Sequence, residues 1–209
     1  MTAMTPLKMP LALMLAALVL SGCAGRTSEA LMARYAGSPP GEAVSAAPAG
    51  AARLIVRIPK AGQSALLHEA GARDGVRRWQ ASDNVQIYTR DGMIIGTRGL
   101  GTDLMSADTG AAAALIREAR SAQVPRIYRL LDGEDRLEIR SYICDILPAQ
   151  AEQVRIGEAE WTTALRVNET CHSPRGALSG THWVKEGRIL QSIQTFDPGF
   201  GPVDILFLP

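Results

Sequence analysis

The residue with the clearest chemistry is Cys23, which ends the string Leu20-Ser21-Gly22-Cys23. Before this string lie one cation, Lys8, and an apolar run that begins at Leu11. The run is about as long as a signal-peptide core and shorter than the roughly 20 apolar residues that cross a bilayer. A branched apolar residue, two small residues and a cysteine form a pattern similar to the bacterial lipobox, in which the thiol accepts diacylglycerol. The string therefore predicts lipidation of Cys23 and removal of residues 1–22.

Lipidation would decide where the protein resides, because two or more acyl chains hold a protein on a membrane stably whereas one holds it only marginally. Cleavage before Cys23 frees an amine that can take a further chain. The next residue is Ala24 and not aspartate, which in bacterial lipoproteins implies sorting to the outer membrane. We therefore expect a lipid-anchored outer-membrane protein whose domain faces the periplasm, with the lipid bilayer as a partner.

The two other cysteines, Cys144 and Cys171, are predicted to form a disulfide. Cys23 is committed to lipid, which leaves an even number in a compartment that is oxidising. The alternatives are two free thiols, or a metal site that adds His172 and His182. No C-x-x-C or H-x-x-x-H spacing supports such a site, so we expect no metal and no cofactor.

Paired carboxylates suggest one enzymatic alternative. Glu158 and Glu160 precede Trp161, an arrangement that could serve as a carbohydrate site with an aromatic platform. Acids at i and i+2 on a strand are more often a solvated face, and Trp79, Trp161 and Trp183 are more simply read as core or rim anchors. No serine lies in a nucleophile elbow. We therefore predict no catalytic residues and no enzymatic activity.

The glycine-rich string from Gly96 to Leu104 resembles neither known phosphate-binding pattern. It lacks the Gly-Lys-Ser/Thr of a Walker loop and the glycine spacing of a dinucleotide fingerprint. Glycines beside a hairpin commonly supply a positive φ, a bulge or a close crossing, so a structural role is favoured over ligand contact.

Composition favours one globular domain that does not bind nucleic acid. The chain carries 22 Lys+Arg and 21 Asp+Glu, and loss of Lys8 with the signal leaves 21 of each. Neither an excess of positive charge nor a basic stripe is present. The segment 23–50 is rich in Pro, Gly and Ala and is predicted to be a flexible tether. With 46% hydrophobic residues in the chain, segment 51–209 is predicted to fold as a single domain.

Alternating apolar residues predict strands at Arg53–Ile58, Asn84–Thr89, Trp161–Val167 and Val203–Leu208. Hairpin turns are predicted at Asp91-Gly92, around Asp132-Gly133, and at Glu186-Gly187. The one helical candidate is Ala111–Arg120, with Thr109 as its N-cap. Strands this numerous predict a mainly β fold, an antiparallel barrel or sandwich-like domain with at most one or two short helices.

Two segments of this domain resemble the YjbF/GfcB family of capsule and exopolysaccharide lipoproteins. One segment is Asp91–Leu104, a hairpin strand that runs into Gly-Leu-Gly-x-Asp-Leu. The other resembles the pattern W-x₃-G-x-I-x₂-S-x-Q followed by a terminal proline, and its matching residues are Trp183, Gly187, Ile189, Ser192, Gln194, Pro198, Ile205 and Pro209.

The resemblance implies a barrel-like domain on an outer-membrane lipid anchor, encoded with polysaccharide secretion genes and without established catalytic residues. The leading hypothesis is a non-enzymatic accessory factor in capsule or exopolysaccharide secretion or assembly, with polysaccharide or export-machinery proteins as partners. A periplasmic lipid or lipoprotein carrier with an apolar barrel cavity is the second hypothesis, and a glycan hydrolase is the third. A carrier requires a large apolar cavity, whereas a hydrolase requires paired carboxylates in a cleft.

Overall fold

The structure, a computed structural model, describes residues 50–131, 134, 136–156 and 160–208. Twelve strands and one α-helix form this part of the chain. A short 3-10 turn at Pro59–Ala61 connects the first two strands. The strands are β1 (Arg53–Ile58), β2 (Gln63–Arg73), β3 (Val76–Gln80), β4 (Gln86–Arg90), β5 (Met93–Arg98), β6 (Leu104–Asp108), β7 (Ala122–Leu131), β8 (Leu137–Arg155), β9 (Trp161–Ser173), β10 (Gly176–Lys185), β11 (Arg188–Gln194) and β12 (Val203–Leu208), and the helix α1 is Gly110–Arg117.

All twelve strands belong to one sheet, in the order β5-β4-β3-β2-β1-β12-β11-β10-β9-β8-β7-β6. The ladders are antiparallel, and the first and last strands pair directly, with Val56 opposite Ile205. The outermost strands β5 and β6 lie against each other, because the Leu104 amide donates a hydrogen bond to Thr97 Oγ1 at 2.9 Å. The sheet therefore curls into a nearly closed antiparallel barrel, which confirms the predicted fold class.

The inner faces of the strands form the core. Leu54, Val56 and Ile58 alternate along β1 and are all buried, as expected for a strand with one face inward. Fully buried large side chains fill the interior and each contributes roughly 1.5–3 kcal/mol through burial; they include Trp79, Tyr128, Phe196 and Leu130. The indole of Trp79 also donates a hydrogen bond to Thr89 Oγ1 at 2.9 Å, so its buried polar atom is satisfied.

Helix α1 packs its apolar face onto the inner side of the sheet. Ala112, Ala113, Leu115 and Ile116 are buried and form a cluster with Met93, Ile146, Val167, Val184 and Ile189. The helix has eight residues, and a residue with φ of 51°, Ala119, follows it. We call the end of the barrel beside Arg117, where β1 begins, the helix end. The opposite end, with the connections at 59–62 and 99–103, is the loop end.

Most elements follow the predicted pattern. β1 and β12 have the predicted bounds, and the Asp91-Gly92 and Glu186-Gly187 turns connect paired strands. The helix begins at Gly110, one residue before the predicted start, and ends at Arg117, three residues before the predicted end. Thr109 is at the N-cap position, as predicted, but its side chain makes no capping hydrogen bond. The residues Asp132 and Gly133, the predicted signal segment 1–22 and nearly all of the predicted tether lie outside the described residues.

Helices capable of crossing a membrane are not found among the described residues, since none combines sufficient length with sufficient apolarity.

Candidate functional site

An ion pair with an adjacent histidine lies inside the barrel, on the inner faces of β7, β9 and β10. Arg126 Nη1 donates to both carboxylate oxygens of Glu169 at 2.7 Å. His182 Nε2 lies 3.4 Å from Glu169 Oε2. The three side chains are at most 3% exposed. These groups are therefore buried together and partner one another.

The electrostatics of this cluster suit a structural role. Burial alone would raise the pKa of Glu169, but the Arg126 charge and His182 outweigh burial and lower it to about 2. Burial would lower the pKa of Arg126, yet its neighbours, including Glu169, raise it. Both partners are therefore charged at neutral pH. A general acid or base works best with a pKa near the operating pH, and this carboxylate is far from that condition.

The disulfide lies beside this cluster. Cys144 on β8 faces Cys171 on β9, and their sulfurs are joined at 2.04 Å, as the cysteine count predicts. Both sulfurs lie within 4.8 Å of a Glu169 oxygen, the spacing of a metal site. Disulfide sulfurs are not thiolates, however, and thiolates are what bind metals. His172 is exposed whereas His182 is buried, so the alternative four-residue metal set does not come together.

Residues of the glycine-rich string hold β5 and β6 together at the seam, the line along which these two edge strands of the sheet meet. Asp103 accepts hydrogen bonds from Thr97 Oγ1 at 2.9 Å, from the Gly99 amide at 2.8 Å and from the Leu100 amide at 3.2 Å. The Leu104 amide in turn donates a hydrogen bond to Thr97 Oγ1 at 2.9 Å. These contacts support the structural interpretation of the string.

The two family-like segments meet at the helix end. The Gln194 side chain accepts a hydrogen bond from the Ile94 amide at 2.9 Å and donates one to the Gly92 carbonyl at 3.1 Å. Gly92 has a φ of 82°, and a Cβ there would lie 2.7 Å from Ile189 Cβ. Residues from both segments are therefore fitted together, and only glycine suits the turn.

Arg117, from the last turn of α1, joins the same two segments. Its Nη1 donates to Asp91 at 2.7 Å, and its Nε donates to the Gly187 carbonyl at 2.7 Å. The helix is thereby fixed to the two hairpin turns that lie on either side of it.

A cavity of about 530 Å³ opens at this end. Its volume falls within the roughly 300–1,000 Å³ of small-molecule sites. Three arginines and one aspartate line it, namely Arg77, Arg117, Arg188 and Asp91. Apolar residues from three strands provide much of the remaining wall: Trp79, Ile189, Leu190, Phe207 and Leu208. We take this cavity as the candidate binding site, because both family-like segments contribute to it.

A second cavity, of about 470 Å³, opens at the loop end. Its floor is apolar, with Val56, Leu67 and Ile87, and its rim includes Gly62, Ser64 and Asp83. Between the two cavities the interior is occupied by core side chains such as Tyr128, Tyr142 and Phe196. The described barrel therefore does not offer the continuous apolar chamber that a lipid carrier requires.

The tryptophans and acids considered for sugar chemistry are dispersed. Trp79 is buried and lines the helix-end cavity, whereas Trp161 is 61% exposed. Trp183 is half-buried and donates its indole N–H to Glu152. Glu160 is exposed, and Glu158 lies outside the described residues. The interpretation as core or rim anchors fits Trp79 and Trp183 but not Trp161, which is largely exposed.

A comparison with known protein families identifies the family of this chain. Residues 29–208 match the family described as Group 4 capsule polysaccharide lipoprotein GfcB, YjbF. This match covers most of the chain, and the chain belongs to the YjbF family, a family of capsule-related lipoproteins. A comparison with curated protein sequences gave no match.

Solved structures agree with the fold. The chain is similar to the hypothetical lipoprotein YmcC from Escherichia coli K12, with a TM-score of 0.67 and 20% identity over 77% of this chain and 84% of that one. An exported protein with a YmcC-like fold from Bacteroides fragilis matches with a TM-score of 0.28 and 11% identity, over 75% of this chain and 92% of that one. The first similarity supports the barrel.

Proposed function

We propose that this protein is an outer-membrane lipoprotein that assists capsule or exopolysaccharide secretion or assembly by binding and not by catalysis. The observation that carries the proposal is the family match over residues 29–208. The lipobox-like string that ends at Cys23 supports anchoring. In this proposal, residues 1–22 are the signal, residues 23–50 are a tether, and residues 51–209 are a single domain that faces the periplasm.

A binding role is supported by the arrangement of the described residues. The buried carboxylate of Glu169 is held ionised by Arg126 inside the barrel. The helix-end cavity, in contrast, is open and lined by guanidinium groups and apolar walls. Such a cavity can hold a ligand, but its only described carboxylate, Asp91, is engaged by Arg117.

Deletion of the gene tests the function. We expect the deletion to lower surface or secreted polysaccharide, and the wild-type gene to restore it. Alanine at Glu158 or Glu160 should leave the polysaccharide level unchanged, because neither carboxylate is catalytic in this proposal. Asp103→Ala should lower it only as far as the loss of three hydrogen bonds destabilises the protein. The purified protein should leave isolated polysaccharide unchanged in length. Cleavage of the polysaccharide that is abolished by one carboxylate substitution in a folded protein would overturn the proposal.

Two variants test the anchor separately. Cys23→Ser removes the thiol that accepts lipid, so the protein should lose palmitate labelling and leave the outer-membrane fraction. Ala24→Asp keeps that thiol and alters only the sorting position, so palmitate labelling should persist while the protein stays with the inner membrane. If Cys23→Ser remains with outer membranes as well as wild type does, the anchor is not at Cys23.

A further inference from the structure

We infer that the helix-end cavity is a binding site for an acidic saccharide, whose carboxylate or phosphate is held by Arg188 together with Arg77 and Arg117. The choice of a saccharide rests on the proposed function. The choice of an anion rests on the cavity itself, and these two parts can fail separately.

The helix-end cavity carries a net positive charge. Three arginines and Asp91 line it, and Glu69 forms an ion pair with Arg77. Asp91 and Glu69 balance two of the three positive charges, so the charge of Arg188 is left over. A net positive charge in a cleft with apolar walls raises the local concentration of anions.

The arginines of the cavity have N–H donors that no described group of the protein uses. Arg117 uses Nε for Gly187 and Nη1 for Asp91. Arg77 uses Nε and Nη2 for Glu69. Within the described part of the chain, Arg188 makes no side-chain hydrogen bond or ion pair, and it is exposed. Since each guanidinium carries five N–H donors, the cavity has more donors than it has acceptors.

The guanidinium groups of the cavity select the kind of anion. Guanidinium groups match the planar geometry of carboxylates and the oxygens of phosphates. Arg77 and Arg117 are held in place, the first over the Trp79 ring at 4.3 Å and the second by two hydrogen bonds of 2.7 Å. Two of the three cations are therefore pre-positioned, which lowers the entropy that a ligand must lose on binding.

The apolar wall of the cavity suits the sugar that carries the anionic group. Ile189, Leu190 and Phe207 provide an apolar wall on one side of the cavity. A sugar ring has apolar C–H faces and polar edges, so it fits a site where apolar side chains stand beside arginines. The volume of about 530 Å³ suits a short saccharide segment and not a folded protein.

The test uses the mature lipoprotein in neutral detergent micelles and measures binding by isothermal titration calorimetry. The probe is trigalacturonate, and maltotriose is the neutral trisaccharide of similar size. We expect trigalacturonate to bind, more weakly as salt is raised, and maltotriose not to bind. Arg188→Gln should weaken binding about tenfold, the equivalent of one charged hydrogen bond. Because Arg188 is exposed and unpaired, this variant should unfold at the same urea concentration as wild type.

The matched control is Arg175→Gln, an exposed arginine at the loop end, which should leave affinity unchanged within about twofold. Equal binding of maltotriose, or no effect of Arg188→Gln, would overturn the inference. Inorganic phosphate and phosphatidylglycerol vesicles form two further arms. Binding to either that depends on Arg188, without binding of trigalacturonate, would identify a simple anion or a lipid headgroup and would overturn the saccharide.

The failures of the two proposals are distinguishable. If deletion of the gene lowers polysaccharide but trigalacturonate does not bind, only the site assignment is wrong. If trigalacturonate binds through Arg188 but deletion leaves polysaccharide unchanged, the proposed function is wrong.

Discussion

Glu169→Gln should destabilise the protein by about 3 kcal/mol at neutral pH, because it leaves the buried Arg126 without its counter-charge. The magnitude follows from the pKa of Glu169, which falls from 4.5 to about 2 in the folded state. A difference of this size corresponds to about 3 kcal/mol of stabilisation by the ionised form. Gln keeps the side-chain volume, so the change in free energy reports on charge and not on a cavity.

The difference in unfolding free energy between wild type and Glu169→Gln should shrink as the pH falls. A carboxyl whose pKa is lowered on folding stabilises the protein above its unfolded pKa, and this stabilisation is lost as the pH falls through the folded pKa. Wild type should therefore lose part of its advantage over Glu169→Gln between pH 4.5 and 2, with about 2 kcal/mol of the difference gone at pH 3. Other carboxylates titrate in both proteins and largely cancel from the comparison.

Urea unfolding at pH 7 and pH 3, with the disulfide intact, measures both quantities. Glu160→Gln is the control, because Glu160 is exposed and its substitution should change the free energy of unfolding by less than about 0.5 kcal/mol. A double variant, Arg126→Met with Glu169→Leu, should be more stable than either single change, since it leaves no unpaired charge. A difference for Glu169→Gln below about 1 kcal/mol at pH 7, or one that grows at pH 3, would refute the reasoning.

Three further predictions concern the turns, the seam and the disulfide. Gly92→Ala should destabilise more than Gly75→Ala in urea unfolding, because both have positive φ but only the first places a Cβ 2.7 Å from Ile189; equal effects would contradict this. Asp103→Ala should cost roughly 2–3 kcal/mol through three lost hydrogen bonds, and a neutral result would mean that the seam does not depend on them. Replacing Cys144 and Cys171 by Ser should cost roughly 3–4 kcal/mol, and alkylation of either thiol in the unreduced wild type would argue against the disulfide.

The strands that could be predicted from the sequence are those with one apolar face. β1 and β12 alternate apolar and other residues and keep their predicted bounds. β2 and β3 were not predicted because their sequences carry polar residues on both faces. In β2 only Leu67 is buried, and the strand is otherwise held by backbone pairing with β1 and β3. Backbone pairing of this kind leaves no periodic signal in the side chains.

The interior ion pair was missed although its sequence carries a signal. Arg126 lies in phase with Val124, Tyr128 and Leu130 on β7, so a charge stands at an inward position. The same is true of Glu169 between Val167 and Cys171 on β9. A charged residue at an inward-facing position of a strand indicates a buried partner. Arg126 and Glu169 are 43 positions apart, so the sequence does not show that they are partners.

The helix-end cavity could not be predicted from the sequence, because its lining comes from distant parts of the chain between Ala52 and Leu208. Because β1 pairs with β12, the ends of the domain lie side by side, and the opening of the sheet falls in mid-chain between β5 and β6. The seam is held by side chains near the loop end, where Thr97 accepts from the Leu104 amide and donates to Asp103. Gln194 reaches Gly92 across 102 residues, a separation that no local pattern encodes. The three arginines of the cavity likewise come from β3, α1 and β11, so they come together only when the barrel has folded.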